Sequence, residues 1–203
     1  MVSAKRKAST PQAARGGILT LYTGNGKGKT TAALGAALRA IGHGRRVLMV
    51  QFIKGAWRTG EQVAARKLRG MFKLVSMGAG FVRSPSAASR ARHVRAAESA
   101  LRFAVREGAT GRYGLVILDE LNCAVSVGLL GAPSCLEAIR SLLRTRVKGA
   151  DASRSGHGAA VNVIVTGRGA PGSFVRAADT VSEMCEVKHP YHAGVPAQAG
   201  IDF

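Results

Sequence analysis

The segment from Thr23 to Thr31 has the composition of a loop that binds phosphate groups. It consists of TGNGKGKTT, with a short β-prone run before it and an alanine-rich helical run after it. Glycines let backbone N–H groups curl around phosphate oxygens, and a lysine at the start of a helix adds positive potential. The sequence therefore predicts a nucleotide-phosphate site formed by Gly24, Asn25, Gly26, Lys27, Gly28, Lys29, Thr30 and Thr31.

Within this loop, Lys29 and Thr30 have the most specific expected roles. Lys29 supplies a point charge to the phosphates, and the Thr30 hydroxyl is a ligand for Mg²⁺. The loop is shorter than the usual motif, which has four residues between its first glycine and Gly-Lys-Thr. Here only Asn25, Gly26 and Lys27 separate Gly24 from Gly28. We therefore expect a triphosphate to be held differently than in enzymes that transfer the γ-phosphate.

Two acidic residues, Asp119 and Glu120, follow the apolar run 115–118. Carboxylates at the end of a strand beside a phosphate loop hold Mg²⁺ directly or through water. We therefore predict Thr30, Asp119 and Glu120 as the metal site. Arg168 lies in a glycine turn after a later apolar run, where it either reaches a phosphate or ribose or is an exposed turn arginine. The guanine-reading signature Asn-Lys-x-Asp does not occur, which disfavours a signalling GTPase.

Strand-like and helix-like segments alternate along the chain. This pattern predicts parallel strands joined by helical crossovers, hence a three-layer α/β sandwich with its ligands at the carboxyl ends of the strands. In the longest helix, Ala87, Ala91, Val94, Leu101 and Val105 are spaced to form the buried face. The predicted strands are 18–23, 47–53, 72–76, 115–118, 161–165 and 180–187, and the predicted helices are 29–41, 61–68, 86–107, 134–146 and 173–178.

Composition and charge narrow the class of protein. The chain has 203 residues, of which 46% are hydrophobic, enough for one domain with a sizeable core. We expect residues 1–17 to form a flexible basic arm and 18–203 a single nucleotide-binding catalytic domain. With no apolar run of membrane-spanning length and no secretory signal, we expect a cytoplasmic protein. The net charge of +19 favours anionic ligands without choosing among them, and nucleic acid is not the favoured partner.

The chain resembles the ATP:corrinoid adenosyltransferases when its short motifs are taken together. In order along the chain they are TGNGKGKTTAA at 23–33, VQFIKG at 50–55 with Trp57, Gly80-Phe81, LDEL at 118–121, TGRG at 166–169, ADTVSE at 178–183 and the stretch from 187 to 202. Individually most of them are short. In this order, together with the shortened phosphate loop, they are highly specific.

The resemblance implies a RecA-like phosphate-loop NTPase fold and a reaction in which Co(I) of a corrinoid attacks the 5′ carbon of ATP. It implies Mg²⁺ or Mn²⁺ as the metal, a reductase or flavodoxin as electron donor, and a homodimer. Lys29, Glu120 and Phe81 are the implied catalytic residues. Phe81, Arg83 and Trp57 are the implied corrinoid-binding residues, and Arg83 stands where the family has a second aromatic.

Three other functions compete with this hypothesis. A nucleic-acid-dependent ATPase would share the phosphate loop, the paired acids and the basic surface. A small-molecule kinase would release ADP rather than triphosphate. A nucleotide-binding regulatory module would bind ATP and metal without turnover.

Overall fold

The computed structural model describes residues 16–54, 59–68, 70–80, 86–148 and 160–202. Strands and helices alternate along this part of the chain, and a short 3₁₀ helix, Pro190–Ala193, follows the last strand. The strands are β1 Leu19–Thr23, β2 Val47–Gln51, β3 Phe72–Ser76, β4 Leu115–Asp119, β5 Asn162–Thr166 and β6 Thr180–Glu183. The helices are α1 Lys29–Gly42, α2 Gly60–Lys67, α3 Ala87–Gly108, α4 Leu121–Ser126, α5 Ala132–Arg144 and α6 Gly172–Ala177.

The six strands form one parallel sheet in the order β3-β2-β4-β5-β1-β6. β5 lies between β1, which leads into the phosphate loop, and β4, which ends in Asp119. Because all strands are parallel, their carboxyl ends meet at one edge of the sheet, where α/β proteins bind ligands. The predicted α/β fold of phosphate-loop NTPases is confirmed.

Alternate strand residues supply two separate cores. Leu48 and Val50 of β2 belong to the core shared with α3 and α5, whereas Val47 and Met49 belong to the core shared with α1 and α2. β2 and β4 are buried along their whole length, as expected for strands covered on both faces. The sheet is thus the middle of three layers, and α1 and α2 cover the face opposite to α3 and α5.

The predicted buried face of α3 is wrong, because the helix is rotated from the expected orientation. Ala87 is exposed, and Val94 and Leu101 only flank the core. Small side chains let the helix approach its neighbours closely: a Cβ on Gly108 would lie 2.4 Å from Leu142 Cδ2. The residues of α3 that are buried are His93, Ala97, Ala100, Ala104 and Gly108.

Several helices and strands have bounds that differ from the predicted ones. α4 was not predicted, and α5 begins at Ala132 rather than 134. The last strand ends at Glu183 rather than 187, and the next residue bonds to the phosphate loop, where the Met184 carbonyl accepts a hydrogen bond of 2.6 Å from Gly26 N. Gly17 N donates to the Leu143 carbonyl at 2.8 Å. The arm and the single-domain boundary stay predictions, since residues 1–15 lie outside the described residues.

Among the described helices, none has the length and apolar character needed to cross a bilayer.

Candidate active site

The phosphate loop occupies the turn between β1 and α1. Gly28 precedes the helix with φ of 114°, a left-handed conformation that strains any residue with a Cβ. Gly26 packs against the chain after β6, and a Cβ there would lie 2.6 Å from the Cys185 carbonyl oxygen. α1 has no side-chain cap at its start. Its first N–H groups therefore remain available to an anion at the positive end of the helix.

The Lys29 ammonium is folded back onto this loop. The residue is only 6% exposed, and its Nζ donates to the carbonyl oxygens of Gly24 and Gly26, both at 2.7 Å. Burial lowers the pKa of Lys29, and the positive charge of Arg168 lowers it further, while Glu120 acts in the opposite direction. The charge is thus held at the helix N-terminus by weak neutral acceptors, which anionic oxygens can replace.

Asp119 lies fully buried beneath the loop at the end of β4. Its Oδ1 accepts hydrogen bonds from Thr30 Oγ1 at 2.9 Å and from Thr166 Oγ1 at 2.7 Å. Its Oδ2 accepts from Gln51 Nε2 at 3.1 Å. Side chains from three other elements, α1, β5 and β2, therefore donate to this one carboxylate.

Glu120 has a left-handed backbone, with φ of 64°, the only such value for a non-glycine among the described residues. Its N–H donates to Thr166 Oγ1 at 3.0 Å, so the Thr166 hydroxyl links both acids. Burial raises the pKa of the Glu120 carboxyl, and the neighbouring Asp119 contributes to the rise, while a hydrogen bond from Cys123 opposes it. Strained backbone of this kind concentrates at functional sites.

The short helix α4 joins this acidic corner to the glycine turn after β5. Arg168 N donates to Cys123 Sγ at 3.1 Å, and Asn122 Nδ2 donates to the Gly167 carbonyl at 3.1 Å. Burial raises the pKa of the Cys123 thiol to about 12, with a further contribution from Glu120. The thiol is therefore a neutral donor and acceptor rather than a nucleophile.

A cavity of about 910 Å³ opens above these groups. It brings together most of the predicted loop with Glu120 and Arg168. Gly24 and Asn25 are not among its described lining residues, although the Gly24 carbonyl holds Lys29. Other polar residues of the lining are Lys54, Glu61, Cys123, His189 and Asp202.

The C-terminal segment forms one wall of this cavity. Lys27 pairs with Asp202, and Gly26 N is bonded to the Met184 carbonyl. The hydrogen bond from Lys27 holds the pKa of the Asp202 carboxyl below its usual range. Two further lining residues, Lys54 and Glu61 of α2, form an ion pair.

Two oxygen groups fit a magnesium ion: the Thr30 hydroxyl, which lines the cavity, and the carboxylate of the buried Asp119 bonded to it. Thr30 Oγ1 and Asp119 Oδ1 lie 2.9 Å apart, and hydroxyl and carboxylate oxygens are the ligands that Mg²⁺ prefers. Within the described part of the chain, no three His, Cys, Asp or Glu side chains form a group able to hold a metal. The protein thus offers a partial oxygen site of the kind that substrate phosphates complete.

Three predicted corrinoid-binding residues, Trp57, Phe81 and Arg83, lie outside the described residues. Thr166 and Cys123 were missed as site members. A signal for Thr166 did exist, because a threonine at the carboxyl end of a strand shares the sheet edge with Asp119. For Cys123 the sequence holds no such signal.

Comparison with known proteins identifies the family. The family model for "ATP:corrinoid adenosyltransferase BtuR/CobO/CobP" matches residues 15–203. The chain belongs to the ATP:corrinoid adenosyltransferases. The corrinoid adenosyltransferase of Pseudomonas aeruginosa is 40% identical over 187 residues, which cover 92% of this chain and 84% of that one.

Other relatives of this adenosyltransferase carry the same name. The corrinoid adenosyltransferase of Escherichia coli K12 is 37% identical, over 92% of this chain and 86% of its own. That of a Sinorhizobium species is 33% identical, over 99% of this chain and 87% of its own. A solved structure of the RadB recombinase matches with a TM-score of 0.47 and 18% identity, covering 87% of this chain and 78% of that one. The protein is thus an ATP-dependent transferase that adenosylates corrinoids.

Proposed function

We propose that this adenosyltransferase transfers the 5′-deoxyadenosyl group of ATP to Co(I) of cob(I)yrinic acid a,c-diamide or cob(I)alamin and releases inorganic triphosphate. Co(I) donates an electron pair to C5′, the C5′–O5′ bond breaks, and triphosphate leaves with that bonding pair as cobalt becomes Co(III). The observation that supports it best is the shortened phosphate loop, with its buried Lys29, in a chain of this family. The product serves adenosylcobalamin synthesis or salvage.

The phosphate loop binds and neutralises the triphosphate. Lys29 leaves the Gly24 and Gly26 carbonyls for the phosphate oxygens, joined by Lys27, Arg168 and the first N–H groups of α1. Because the charge of the leaving triphosphate grows as the C5′–O5′ bond breaks, cations placed there stabilise the transition state more than the ground state. We accordingly place Lys29 in a catalytic role.

The paired acids, Asp119 and Glu120, hold the metal ion that accompanies the nucleotide. Thr30, Asp119 and Glu120 would bind Mg²⁺ or Mn²⁺, which when present neutralises phosphate charge. Glu120 is oriented by its strained backbone and by Cys123, and Asp119 by Thr166 and Gln51. Their work is to position the nucleotide so that its 5′ carbon faces the corrinoid.

The corrinoid side of the reaction is proposed from the resemblance. Phe81, Arg83 and Trp57 contact the corrinoid, and Phe81 helps displace the lower cobalt ligand so that Co(II) is reduced more easily by a reductase or flavodoxin. We expect Phe81→Ala to slow the reaction of Co(II) substrates far more than that of pre-reduced Co(I). Equal slowing of both would argue against ligand displacement.

We also propose that the protein is a homodimer in the cytoplasm. All four residues of β6, the strand at one edge of the sheet, are exposed, which is consistent with an assembly that covers this edge. Analytical ultracentrifugation at micromolar concentration should give twice the chain mass of 21.1 kDa. A monomer at every concentration would contradict the dimer without touching the reaction.

The decisive experiment is an anoxic incubation with ATP, Mg²⁺ and chemically reduced corrinoid, followed by mass spectrometry of both products. We expect an adenosylated, light-sensitive corrinoid together with inorganic triphosphate. ADP and phosphate beside unmodified corrinoid would reject the transferase reaction in favour of a kinase or a nucleic-acid-dependent ATPase. Running both candidate corrinoids in parallel identifies the preferred substrate.

A further inference from the structure

Four polar side chains from four adjacent strands lie together at the carboxyl edge of the sheet. Gln51 is paired in register with Asp119 on one side and with Ser76 on the other. By the alternation of strand residues, they share the face that carries Val47 and Met49, which α1 and α2 cover. Thr166 at the end of β5 bonds to Asp119 on the same face.

Gln51 is the centre of this row and has no exposed surface. A buried amide is costly unless all its groups find partners, and those of Gln51 do. Its Oε1 accepts from Ser76 Oγ at 2.6 Å, and its Nε2 donates to Asp119 Oδ2 at 3.1 Å and to Glu61 Oε1 at 3.3 Å. Both amide protons are thus directed at carboxylates.

The direction of these hydrogen bonds is set by Gln62, which lies next to Ser76 at one end of the row. Gln62 Nε2 of α2 donates to Ser76 Oγ at 2.9 Å, so the single hydroxyl proton of Ser76 is left for Gln51 Oε1. That bond turns the Gln51 amide nitrogen toward Asp119. The donors therefore follow one another in a single direction, from Gln62 through Ser76 and Gln51 to Asp119.

Asp119 is consequently held from both sides. Thr30 and Thr166 occupy Oδ1, and Gln51 occupies Oδ2. Without Gln51, Oδ2 would be buried with no donor among the described residues, and the carboxylate would be free to rotate away from Thr30. A fixed carboxylate is what an ion with strict octahedral geometry requires.

We infer that Gln51 is a positioning residue that fixes the Asp119 carboxylate for the metal–nucleotide complex, in the orientation set by Ser76. This inference rests on the proposed metal site. Glutamate, methionine or leucine at position 51 cannot replace the amide, since none of these offers an N–H group to Asp119.

The test measures binding of a fluorescent ATP analogue while the Mg²⁺ concentration is varied, with a parallel titration in EDTA. Because Gln51 donates to a charged acceptor, we expect Gln51→Met to raise the Mg²⁺ concentration for half-maximal enhancement of binding about tenfold. Binding in EDTA should change less than about twofold, since the hydrogen bonds of Gln51 in the described part of the chain go to Ser76, Asp119 and Glu61 and not to the loop. An unchanged Mg²⁺ dependence in a folded Gln51→Met protein would overturn the inference.

Two further variants keep the inference testable if Gln51→Met does not fold. Ser76→Ala retains the amide but removes the hydroxyl that orients it, and we expect about a threefold shift in the same direction. Glu61→Gln leaves the Asp119 contact intact and tests whether Gln51 acts through Glu61 instead; we expect a smaller shift than in Ser76→Ala, because an amide oxygen at position 61 can still accept from Gln51 Nε2. If Glu61→Gln reproduces the shift instead, Gln51 acts through Glu61 and the assignment to Asp119 is wrong.

Failure of this inference is distinct from failure of the proposed reaction. A wild-type protein that forms no adenosylated corrinoid, yet shows the Mg²⁺ shift on Gln51→Met, keeps the positioning role and loses the reaction. A wild-type protein that adenosylates corrinoid, with no change of the Mg²⁺ dependence in any variant, keeps the reaction and loses the positioning role.

Discussion

The cavity at the carboxyl edge of the sheet and a second cavity at the amino edge are similar in volume, about 910 and 830 Å³. Both are lined by cationic side chains: Lys29 and Arg168 at the carboxyl edge, Arg39 and Arg45 at the amino edge. α1 joins them, beginning at the first and ending at the second. Its positive end with free N–H groups therefore faces only the first.

At the amino edge, carbonyl groups at the end of α1 already have hydrogen-bond donors. The N–H groups of His43 and Arg45 donate to carbonyls of the last turn of α1, and the negative end of the helix lies there. Cations around a cavity of adequate size thus do not make a phosphate site. The direction of the helix and the convergence of donors decide which edge binds nucleotide, and paired substitutions at the two edges test this.

The largest effect should come from Lys29→Ala. Removing a cation that faces the developing triphosphate charge should lower the adenosylation rate about 10²–10³-fold. Arg39→Ala at the other end of α1 is the matched control and should retain the wild-type rate. Steady-state rates under anoxic conditions measure both. Full activity with normal ATP affinity in Lys29→Ala would refute the phosphate role.

A smaller effect is expected for Arg168→Ala. Loss of one charge-assisted contact to the nucleotide should raise the KM for ATP about tenfold. Arg45→Ala, which also removes an arginine from a cavity, should leave the KM unchanged. Equal increases in the two variants would show that the net positive charge of the protein, not the position of Arg168, attracts ATP.

Backbone strain should also differ between the two edges. Glu120 adopts φ of 64° without being a glycine, whereas Gly44 adopts φ of 73° near the end of α1. Glu120→Gly should therefore be more stable than Glu120→Ala by about 1 kcal/mol, and Gly44→Ala less stable than wild type by a similar amount. Urea unfolding measures these differences. A Glu120→Ala protein as stable as Glu120→Gly would mean that the backbone relaxes.

The smallest effect concerns pH. Since burial lowers the pKa of Lys29, the free protein loses this charge at lower pH than an ordinary lysine does. Phosphates favour the charged form, so ATP affinity should fall as pH rises through that lowered pKa, by less than about tenfold per pH unit. Lys29→Arg stays charged and should lose this part of the dependence. Calorimetry in buffers of different ionisation enthalpy should detect proton uptake in the wild type alone.

Local sequence patterns were enough to predict the strands that are buried on both faces. β2 and β4 are buried on both faces and are apolar along most of their length, so their sequences predict them directly. The buried face of α3 could not be derived in this way, because Ala97, Ala100 and Ala104 were selected by close packing rather than by hydrophobicity. α4 was missed because its six residues follow β4 after Glu120 alone and lack their own start signal.

The same distinction applies to the site. The phosphate loop and the pair Asp119-Glu120 are contiguous motifs, and the structure brings the loop and these acids together. Gln51, Ser76 and Thr166 come from three other strands. Which strands are neighbours depends on the order of the sheet, which no local stretch of sequence encodes, so their convergence on Asp119 is visible only in the folded chain.

The strand order also affects how the chain is made on the ribosome. Of the described strands, β1 is synthesised first, yet its neighbours are β5 and β6, the last two of them, with Leu19 opposite Val163. The phosphate loop thus leaves the ribosome long before the strands that pair with β1 and the Met184 carbonyl that holds Gly26. Contacts so distant in sequence form slowly. The part of the phosphate site that depends on these contacts is therefore complete only after β6 and Met184 have been synthesised.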